Sequence, residues 1–281
     1  MRPLLVAEDR NRKVSNTEFD YYRCRVCGVI SLLPVPIDLG RYYPSDYIDQ
    51  RQDPVERALR SQAERYKLRL LLRVARGGRL LEIGPGAGGF LELAQSAGFE
   101  VEAIEQDGET CRYLERTLGA RTYCTSDPAS AVREAGPYAV IALWHSLEHL
   151  TEPGDVLSAA AGALVPGGTV MVATPNPNAL QFRVFRSRWT HLDSPRHLHL
   201  IPPDVVREHA ARFGLRRCTL LFSDEGTRNW NAFGWRNSLR NSVPPGLANP
   251  AYTTGRVIGR LSKPVERRGM RASTYTAILQ Q

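Results

Sequence analysis

Three glycines at a fixed spacing form the part of the sequence best suited to hold a ligand. Gly84, Gly86 and Gly89 follow a short apolar run that ends at Ile83, and a helical pattern begins at Gly89. Glycine lets a backbone turn sharply and approach a ligand closely. Because this turn lies between a predicted strand and a predicted helix, it predicts a site for a nucleotide-containing cofactor.

An acidic residue accompanies the turn at a second strand. Glu105 lies 21 residues after Gly84, at the end of the next predicted strand. An acid at that point can accept hydrogen bonds from a ribose diol, which suits NAD and S-adenosylmethionine (SAM) equally. The glycines and Glu105 together therefore predict a nucleotide cofactor without choosing between the two.

Histidines supply the candidate proton acceptors, because their pKa lies near neutrality. His145 is the first candidate catalytic base, since it follows a predicted strand, and His197 is the second. His149 suits a structural role as well as a functional one. The spacing of these histidines is not that of a zinc site, and no metal is predicted among them. Five of the six histidines of the chain lie between positions 145 and 199: His145, His149, His191, His197 and His199.

Alternating strand and helix patterns must position these residues. Strands are predicted over 79–83, 100–105, 122–124, 138–144, 169–174, 215–222 and 272–279, and helices over 53–76, 89–97, 108–118, 153–164 and 203–213. Units of this kind build a parallel sheet that is covered by helices. The predicted fold is α/β, a Rossmann-like, doubly wound, mostly parallel seven-stranded sheet with helices on both faces.

Further motifs resemble the class I SAM-dependent methyltransferases, in particular the methyltransferase-23 type. Glu82, two residues before the first glycine, is characteristic of the SAM form. The motifs follow in the family's order over about residues 55 to 223, which favours SAM over NAD. They are a Leu-Glu-His signature in 141–150, a Pro-Gly-Gly turn in 164–169, Thr-Pro-Asn at 174–176, and a Trp, Asp-x-Pro-Arg-His-Leu segment in 189–198.

The resemblance implies a role for each matched residue. The glycine turn would contact the methionine and ribose portions of SAM, with Glu82 near the amino group and Glu105 at the ribose hydroxyls. Gln106 would lie beside the adenine, and Asp127 against its amino group. The residues that the resemblance assigns to the cofactor are Glu82, Gly84, Gly86, Gly89, Glu105, Gln106, Asp127 and Trp144.

Two domains are predicted. Residues 1–52 form an N-terminal segment that resembles a remnant of a zinc ribbon, and 53–281 form the SAM-binding methyltransferase domain, with an acceptor-side insert at about 178–202 and 224–270. The N-terminal segment has one Cys-x-x-Cys pair, Cys24 and Cys27, whereas a structural zinc site normally needs four ligands. Either the site has decayed, or upstream residues are missing, or a partner completes it.

The positive charge of the chain is uneven. The net charge is +8, and the part from Arg183 to Arg271 holds 17 Lys or Arg against 6 Asp or Glu, a net +11. This region either docks an anionic partner or forms an ordinary solvated surface. The scattered cysteines, the lack of an apolar run of ~20 residues and the polar first residues predict a cytoplasmic protein without a membrane span.

The function expected from these observations is methyl transfer from SAM to a small-molecule acceptor, such as the hydroxyl of a sugar, a nucleotide-linked sugar or a secondary metabolite. The acceptor could carry negative charge, and no stable complex with nucleic acid is expected. A nucleic-acid methyltransferase and a non-catalytic SAM-binding protein are the alternatives. The methylated atom and the oligomeric state stay open at this point.

Overall fold

The computed structural model describes residues 1–44, 54–267 and 270–281. The strands are β1 (Arg2–Glu8), β2 (Glu18–Arg23), β3 (Ile30–Leu32), β4 (Gly78–Ile83), β5 (Phe99–Glu105), β6 (Arg121–Cys124), β7 (Tyr138–Trp144), β8 (Leu164–Pro175), β9 (His199–Leu200), β10 (Arg217–Leu221) and β11 (Thr274–Gln280). The helices are α1 (Pro54–Val74), α2 (Gly89–Ser96), α3 (Gly108–Leu118), α4 (Pro128–Ala135), α5 (Pro153–Gly162), α6 (Leu180–Phe185), α7 (Pro203–Arg212), α8 (Glu225–Arg240), α9 (Ala248–Leu261) and α10 (Lys263–Arg267).

The larger sheet has seven strands in the order β10-β11-β8-β7-β4-β5-β6. Strands β6, β5, β4, β7 and β8 pair in parallel, whereas β11 is antiparallel to both of its neighbours. The predicted seven-stranded, mostly parallel α/β fold is confirmed. Five parallel strands end at one edge of this sheet, which is where ligands bind in open α/β sheets.

Helices cover both faces of this sheet, and strand β7 shows why. Its residues alternate between two buried clusters: Ile141 and Leu143 pack with residues of α4, α5 and α7, while Val140 and Ala142 pack with residues of α1, α2 and α3. A strand that is buried on both faces reads as an unbroken apolar run, as this one does in the sequence.

The structure has helices that the sequence patterns did not predict. Helix α4 begins where Asp127 caps its first turn and a proline occupies the first helical position. The region around 224–270, expected to hold an irregular insert, contains α8 and α9, which pack against each other. No helix among the described residues is long and apolar enough to cross a membrane.

The smaller sheet joins the N-terminal segment to the rest of the chain. It is antiparallel with the order β1-β2-β3-β9, and Ile30 of β3 pairs with Leu200 of β9. A third buried cluster unites Tyr21 and Ile30 with Phe182 and Trp189. The N-terminal strands therefore pack on part of the region predicted as the acceptor-side insert. The predicted helix start at residue 53 and the predicted domain boundary at 52 lie outside the described residues.

Candidate functional site

The carboxyl ends of β4, β5 and β7 lie side by side and bring the predicted site residues to one edge. Strand β4 pairs in parallel with both β5 and β7. Glu82 therefore lies near the end of the central strand, Glu105 ends its neighbour on one side, and Trp144 ends its neighbour on the other. This topology explains how Glu82 and Trp144, which are 62 positions apart in the chain, reach the same edge.

The glycine turn after β4 needs its glycines for two different reasons. Gly84, Gly86 and Gly88 have φ angles of +72°, +55° and +73°, in the left-handed region that other residues rarely adopt. A Cβ on Gly84 would lie 2.7 Å from the Cβ of Ser146, so this glycine packs closely against the loop after β7. A Cβ on Gly86 would meet no protein atom within 4 Å, which leaves space for a ligand there. Gly89 is the first residue of α2.

Glu82 is a buried carboxylate with an unused oxygen. Its side chain is almost inaccessible, and Oε2 has no hydrogen-bond partner. Burial raises its pKa to about 8, although the positive charge of Lys67 acts in the opposite direction. A buried polar group without a partner is costly. A cationic ligand group would repay that cost, so the site fits the ammonium group of SAM.

Glu105 turns back towards the backbone that follows it. Its Oε1 accepts hydrogen bonds from the backbone N–H of Gln106 at 2.8 Å and of Asp107 at 3.1 Å. Burial raises its pKa, and the backbone of Gly86 lies close enough to lower it in part. Glu105 thus lies beside the glycine turn, whereas the side chain of Gln106 is exposed.

Asp127 has hydrogen bonds that belong to a helix cap. Its Oδ1 accepts from the backbone N–H of Ser130 at 3.1 Å, and its Oδ2 accepts from the Ser130 hydroxyl at 2.7 Å. These bonds hold the start of α4, and the carboxylate is exposed. Its contact with adenine stays a prediction.

Trp144 is the last residue of β7, and its side chain is buried. Its ring packs edge-on against Phe90 at 5.6 Å and Tyr66 at 6.3 Å between ring centroids. The ammonium group of Lys67 lies 5.5 Å from the centroid of the Trp144 ring. The indole Nε1 has no hydrogen-bond partner although it is buried. Trp144 therefore packs among residues of α1 and α2, immediately before His145 in the chain.

His145 has an unusual backbone conformation for a residue with a side chain. Its φ is +57°, and its N–H donates to the carbonyl of Ala173 at 2.8 Å. Residues held in such strained conformations cluster at functional sites. The imidazole Nδ1 lies 3.6 Å from Oε1 of Glu148, and the ring lies 4.8 Å from that of Trp230 on α8.

Glu148 lies between two histidines and is fully buried. Its Oε2 accepts a hydrogen bond from the Thr174 hydroxyl at 2.9 Å, while its Oε1 has no hydrogen-bond partner. Oε1 also lies 3.9 Å from Nε2 of His197. Burial raises the pKa of Glu148, but contacts with His145 and His197 outweigh it and bring the pKa to about 2. In the sequence, Glu148 is distinguished only as part of the Leu-Glu-His signature.

The other histidines are fixed by backbone carbonyls. His197 Nδ1 lies 2.8 Å from the carbonyl oxygen of His191, and His149 Nδ1 lies 3.0 Å from that of Arg196. Burial lowers the pKa of His149 to about 4 and that of His191 to about 3, so both rings are neutral at pH 7. His199 bonds instead to Ser31 and Thr151, on the side of the smaller sheet.

A buried ion-pair network holds the histidine-bearing segment in place. The fully buried guanidinium of Arg196 donates to Asp9 at 2.6 Å and to Asp193 at 2.8 Å. It also donates to the carbonyl of Tyr42 at 3.0 Å. No sequence pattern points to Asp9, because the residue lies 187 positions from Arg196 and belongs to no motif.

The cysteine pair of the N-terminal segment occupies the turn between β2 and β3. Backbone N–H groups of Cys27 and Val26 lower the pKa of the Cys24 thiol to about 7. Within 1–44, 54–267 and 270–281, the pair belongs to no group of three metal-ligating side chains. Zinc at this turn would need ligands from outside those residues.

The family of the chain is established by its sequence. The family model for a methyltransferase domain matches residues 55–219, and the chain belongs to this family. The ubiquinone biosynthesis O-methyltransferase of Burkholderia orbicola is 34% identical over 107 residues, which are 36% of this chain and 46% of the relative. That of Bordetella avium is 28% identical over 150 residues, which are 50% and 62% of the two chains. The chain spans about half the length of the curated relatives it matches.

Solved structures confirm the fold. A SAM-dependent methyltransferase from Archaeoglobus fulgidus superposes with a TM-score of 0.56 at 19% identity, covering 80% of this chain and 94% of that one. A structure described as a sarcosine dimethylglycine methyltransferase from Galdieria sulphuraria gives 0.53 at 15% identity, covering 82% and 88%. The predicted family, its Rossmann-like fold and its cofactor, SAM, are confirmed.

Proposed function

We propose that the protein transfers a methyl group from SAM to a hydroxyl oxygen of a small-molecule acceptor. The observation that carries this proposal is the pair formed by His145 and Glu148 at the carboxyl end of β7, beside the glycine turn. The names of the curated relatives, which are O-methyltransferases, support oxygen as the methylated atom.

The proposed cofactor contacts follow from the carboxyl edge of the sheet. When bound, SAM supplies an electrophilic methyl group on its sulfonium sulfur. The unpartnered Oε2 of Glu82 supports an ion pair with the amino group of the cofactor. Glu105 and the open side of Gly86 support binding of the ribose. Trp144, at the end of β7, would cover the cofactor on the side of the reacting group.

The proposed base is His145, oriented by Glu148. Because Nδ1 of His145 faces the carboxylate of Glu148, Nε2 is the nitrogen left to accept a proton from the acceptor hydroxyl. The carboxylate then stabilises the imidazolium that forms. Proton acceptance by a positioned base contributes roughly 10²–10⁴-fold to a reaction rate. His197, with Nε2 3.9 Å from the same carboxylate oxygen, stays a second candidate.

Aromatic rings around His145 support a flat, cyclic acceptor. The ring of Trp230 lies 4.8 Å from that of His145, 5.5 Å from that of Phe233 and 5.7 Å from that of His191. Such surfaces stack well on rings. A phenolic or other cyclic hydroxyl compound is therefore the proposed acceptor class. The net charge of +11 between Arg183 and Arg271 supports an acceptor with negative charge, and the free cysteines support a reducing compartment such as the cytoplasm.

The proposal is tested by incubating the protein with SAM labelled in its methyl group and a panel of cyclic hydroxyl compounds. We expect label in the acceptor fraction with at least one hydroxyl compound and none with its methyl ether. Label transferred only to amines, or to no acceptor although SAM binds, would contradict oxygen methylation. The Glu82→Gln variant, which should bind SAM poorly, serves as the negative control.

A further inference from the structure

Three side chains near the proposed base, His145, converge in a way that methyl transfer alone does not require. Glu148, His149 and His197 each present one ligand atom, and these atoms lie within 4.8 Å of one another. No other group of three His, Cys, Asp or Glu side chains with this property exists among the described residues. Two of the residues lie on the short 3-10 helix Leu147–His149, and the third precedes β9.

The hydrogen bonds of the two histidines fix which nitrogen is free. The carbonyl oxygen of His191 can only accept, so Nδ1 of His197 carries a proton, while Nδ1 of His149 lies 3.0 Å from the carbonyl oxygen of Arg196 and 2.9 Å from the hydroxyl of Tyr43. Because Nδ1 of each ring is engaged in these contacts, Nε2 is the nitrogen that each ring can offer to a metal ion. The two rings lie edge to face with centroids 4.6 Å apart. Metal-binding histidines are typically oriented by such a bond from the other nitrogen.

The two oxygens of the Glu148 carboxylate also have different surroundings. Oε2 of Glu148 is held by the hydroxyl of Thr174, whereas the fully buried Oε1 makes no hydrogen bond and lies 3.6 Å from Nδ1 of His145 and 3.9 Å from Nε2 of His197. A buried carboxylate oxygen without a donor is costly unless a cation or a donor reaches it. Arg196, the nearest buried cation of the segment, is already committed to Asp9 and Asp193.

We propose that Glu148, His149 and His197, hereafter the His2Glu cluster, bind a divalent transition-metal ion of the zinc type. Two imidazole nitrogens and one carboxylate oxygen form a ligand set that zinc uses in catalytic sites, with a fourth position left open. The backbone carbonyls that orient the imidazoles and the Thr174 hydroxyl that orients the carboxylate supply the outer hydrogen bonds that such sites have.

Binding would require only a small contraction of the cluster. A tetrahedral zinc ion with bonds of about 2.0–2.1 Å brings its ligand atoms to about 3.4 Å from one another. The ligand atoms now lie within 4.8 Å, so rotation of the side chains by about an ångström at their tips is sufficient. The side chain of the neighbouring His145 is 19% exposed.

The role of the ion rests on the proposed function. Its open position would take the hydroxyl oxygen of the acceptor and lower the pKa of that hydroxyl, as zinc does for bound water. The proton released from the oxygen passes to His145, which lies next to Glu148. The ion thus acts as a Lewis acid and undergoes no change of oxidation state.

The experiment measures zinc itself, without turnover. Protein freed of metal by a chelator is titrated with Zn²⁺ in competition with a chromophoric indicator. The background is Cys24→Ser/Cys27→Ser, which removes thiolate binding at the exposed turn. We expect one ion per chain in this background, with at least a 100-fold loss of affinity in His197→Ala and in Glu148→Gln. His209→Ala, on α7 with its ring beside Phe213, should leave the affinity unchanged.

The spectrum of the cobalt-substituted protein gives a second readout that a merely structural role would not produce. We expect visible bands of a four- or five-coordinate ion that lack thiolate-to-cobalt charge transfer and disappear in His197→Gln, a variant that keeps a polar side chain. Equal zinc affinity in the background protein and in His197→Gln, or no zinc binding after removal of the cysteines, would overturn the proposal.

The outcomes separate this inference from the proposed function. Zinc held by the His2Glu cluster without methyl transfer to any hydroxyl would sustain the metal site and defeat the O-methyltransferase proposal. Full turnover with a hydroxyl acceptor in metal-free protein that binds no zinc would defeat the metal site and sustain the O-methyltransferase proposal. Circular dichroism of each variant verifies that loss of zinc does not reflect unfolding.

Discussion

The cofactor edge and the histidine region of this protein are built in opposite ways. At the cofactor edge, Glu82 and the glycine turn come from one continuous stretch, and Glu105 joins them from the adjacent parallel strand. In the histidine region, His145 and Glu148 follow β7, whereas His197 belongs to a segment that is held by an ion pair with Asp9. The first site is thus a local motif, and the second is assembled by tertiary packing.

This difference predicts which of the two regions is more sensitive to changes in the N-terminal segment. The turn at the cofactor edge is fixed by backbone conformation and by the buried strand β4, so it should tolerate changes in the N-terminal segment. The histidine region depends on that segment, because Arg196 bridges Asp9 and Asp193. Substitutions should therefore separate cofactor binding from catalysis.

The largest effect is expected from His145→Ala. Loss of the proposed base should reduce kcat by about 10²–10⁴-fold and leave the Kd of SAM within a factor of about two, because the side chain acts on the acceptor. Initial rates with a hydroxyl acceptor, together with a SAM titration, measure both quantities. His209→Ala is the matched control. Full turnover of His145→Ala would remove His145 as the base.

The next largest effect is on stability. Arg196→Met leaves the buried Asp9 and Asp193 without their cation, which should lower the free energy of unfolding by about 3–5 kcal/mol. Arg207→Met breaks an exposed Asp–Arg pair of the same spacing and the same 2.8 Å length, and should cost about 0–1 kcal/mol. Urea unfolding of the two variants measures the difference. Equal losses would show that the buried network does not hold the histidine region.

Glu82, at the cofactor edge, should make the stability of the folded protein depend on pH. Its folded pKa of about 8 lies above the ordinary 4.5, so the folded protein keeps a proton that the unfolded chain releases between these values. In the absence of SAM, stability should therefore fall as pH rises through this window, and Glu82→Gln should flatten that slope. Lys67, Glu64 and Glu105 face the same carboxylate and are unchanged in the variant. Urea unfolding at several pH values measures the slope, and an equal slope in both proteins would contradict the assignment.

The smallest effect is expected at Asp127. Asp127→Ala removes the cap of α4 and should lower the melting temperature by a few degrees, as should Asp224→Ala, which removes the cap of α8. If Asp127 also contacts adenine, only Asp127→Ala should weaken SAM binding several-fold. Equal SAM affinity in the two variants would limit Asp127 to its helix cap.

The sequence predicted what local pattern determines. The seven strands of the large sheet were predicted because short apolar runs alternate with helical patterns along the chain, and the glycine turn was predicted because its glycines have a fixed spacing. Helix α4 was missed, although Asp127-Pro128 is a recognisable helix start.

The histidine region was predicted only in outline. His145 and His197 were singled out one by one, but nothing in their spacing revealed that Glu148 lies between them. The strand pairing of β3 with β9 and the bond from Arg196 to Asp9 join residues about 170 to 190 positions apart. Contacts of this kind depend on packing and leave no periodic signal in one sequence.

Calorimetric titration of the protein with SAM and, separately, with NAD tests the central claim most directly. We expect SAM to bind to one site per chain with a Kd of about micromolar, Glu82→Gln to weaken this binding by about 10–100-fold, and NAD to produce no heat. The exposed Glu100→Gln on strand β5 is the matched control and should bind SAM like the unchanged protein. Tight binding of NAD without binding of SAM would contradict the account.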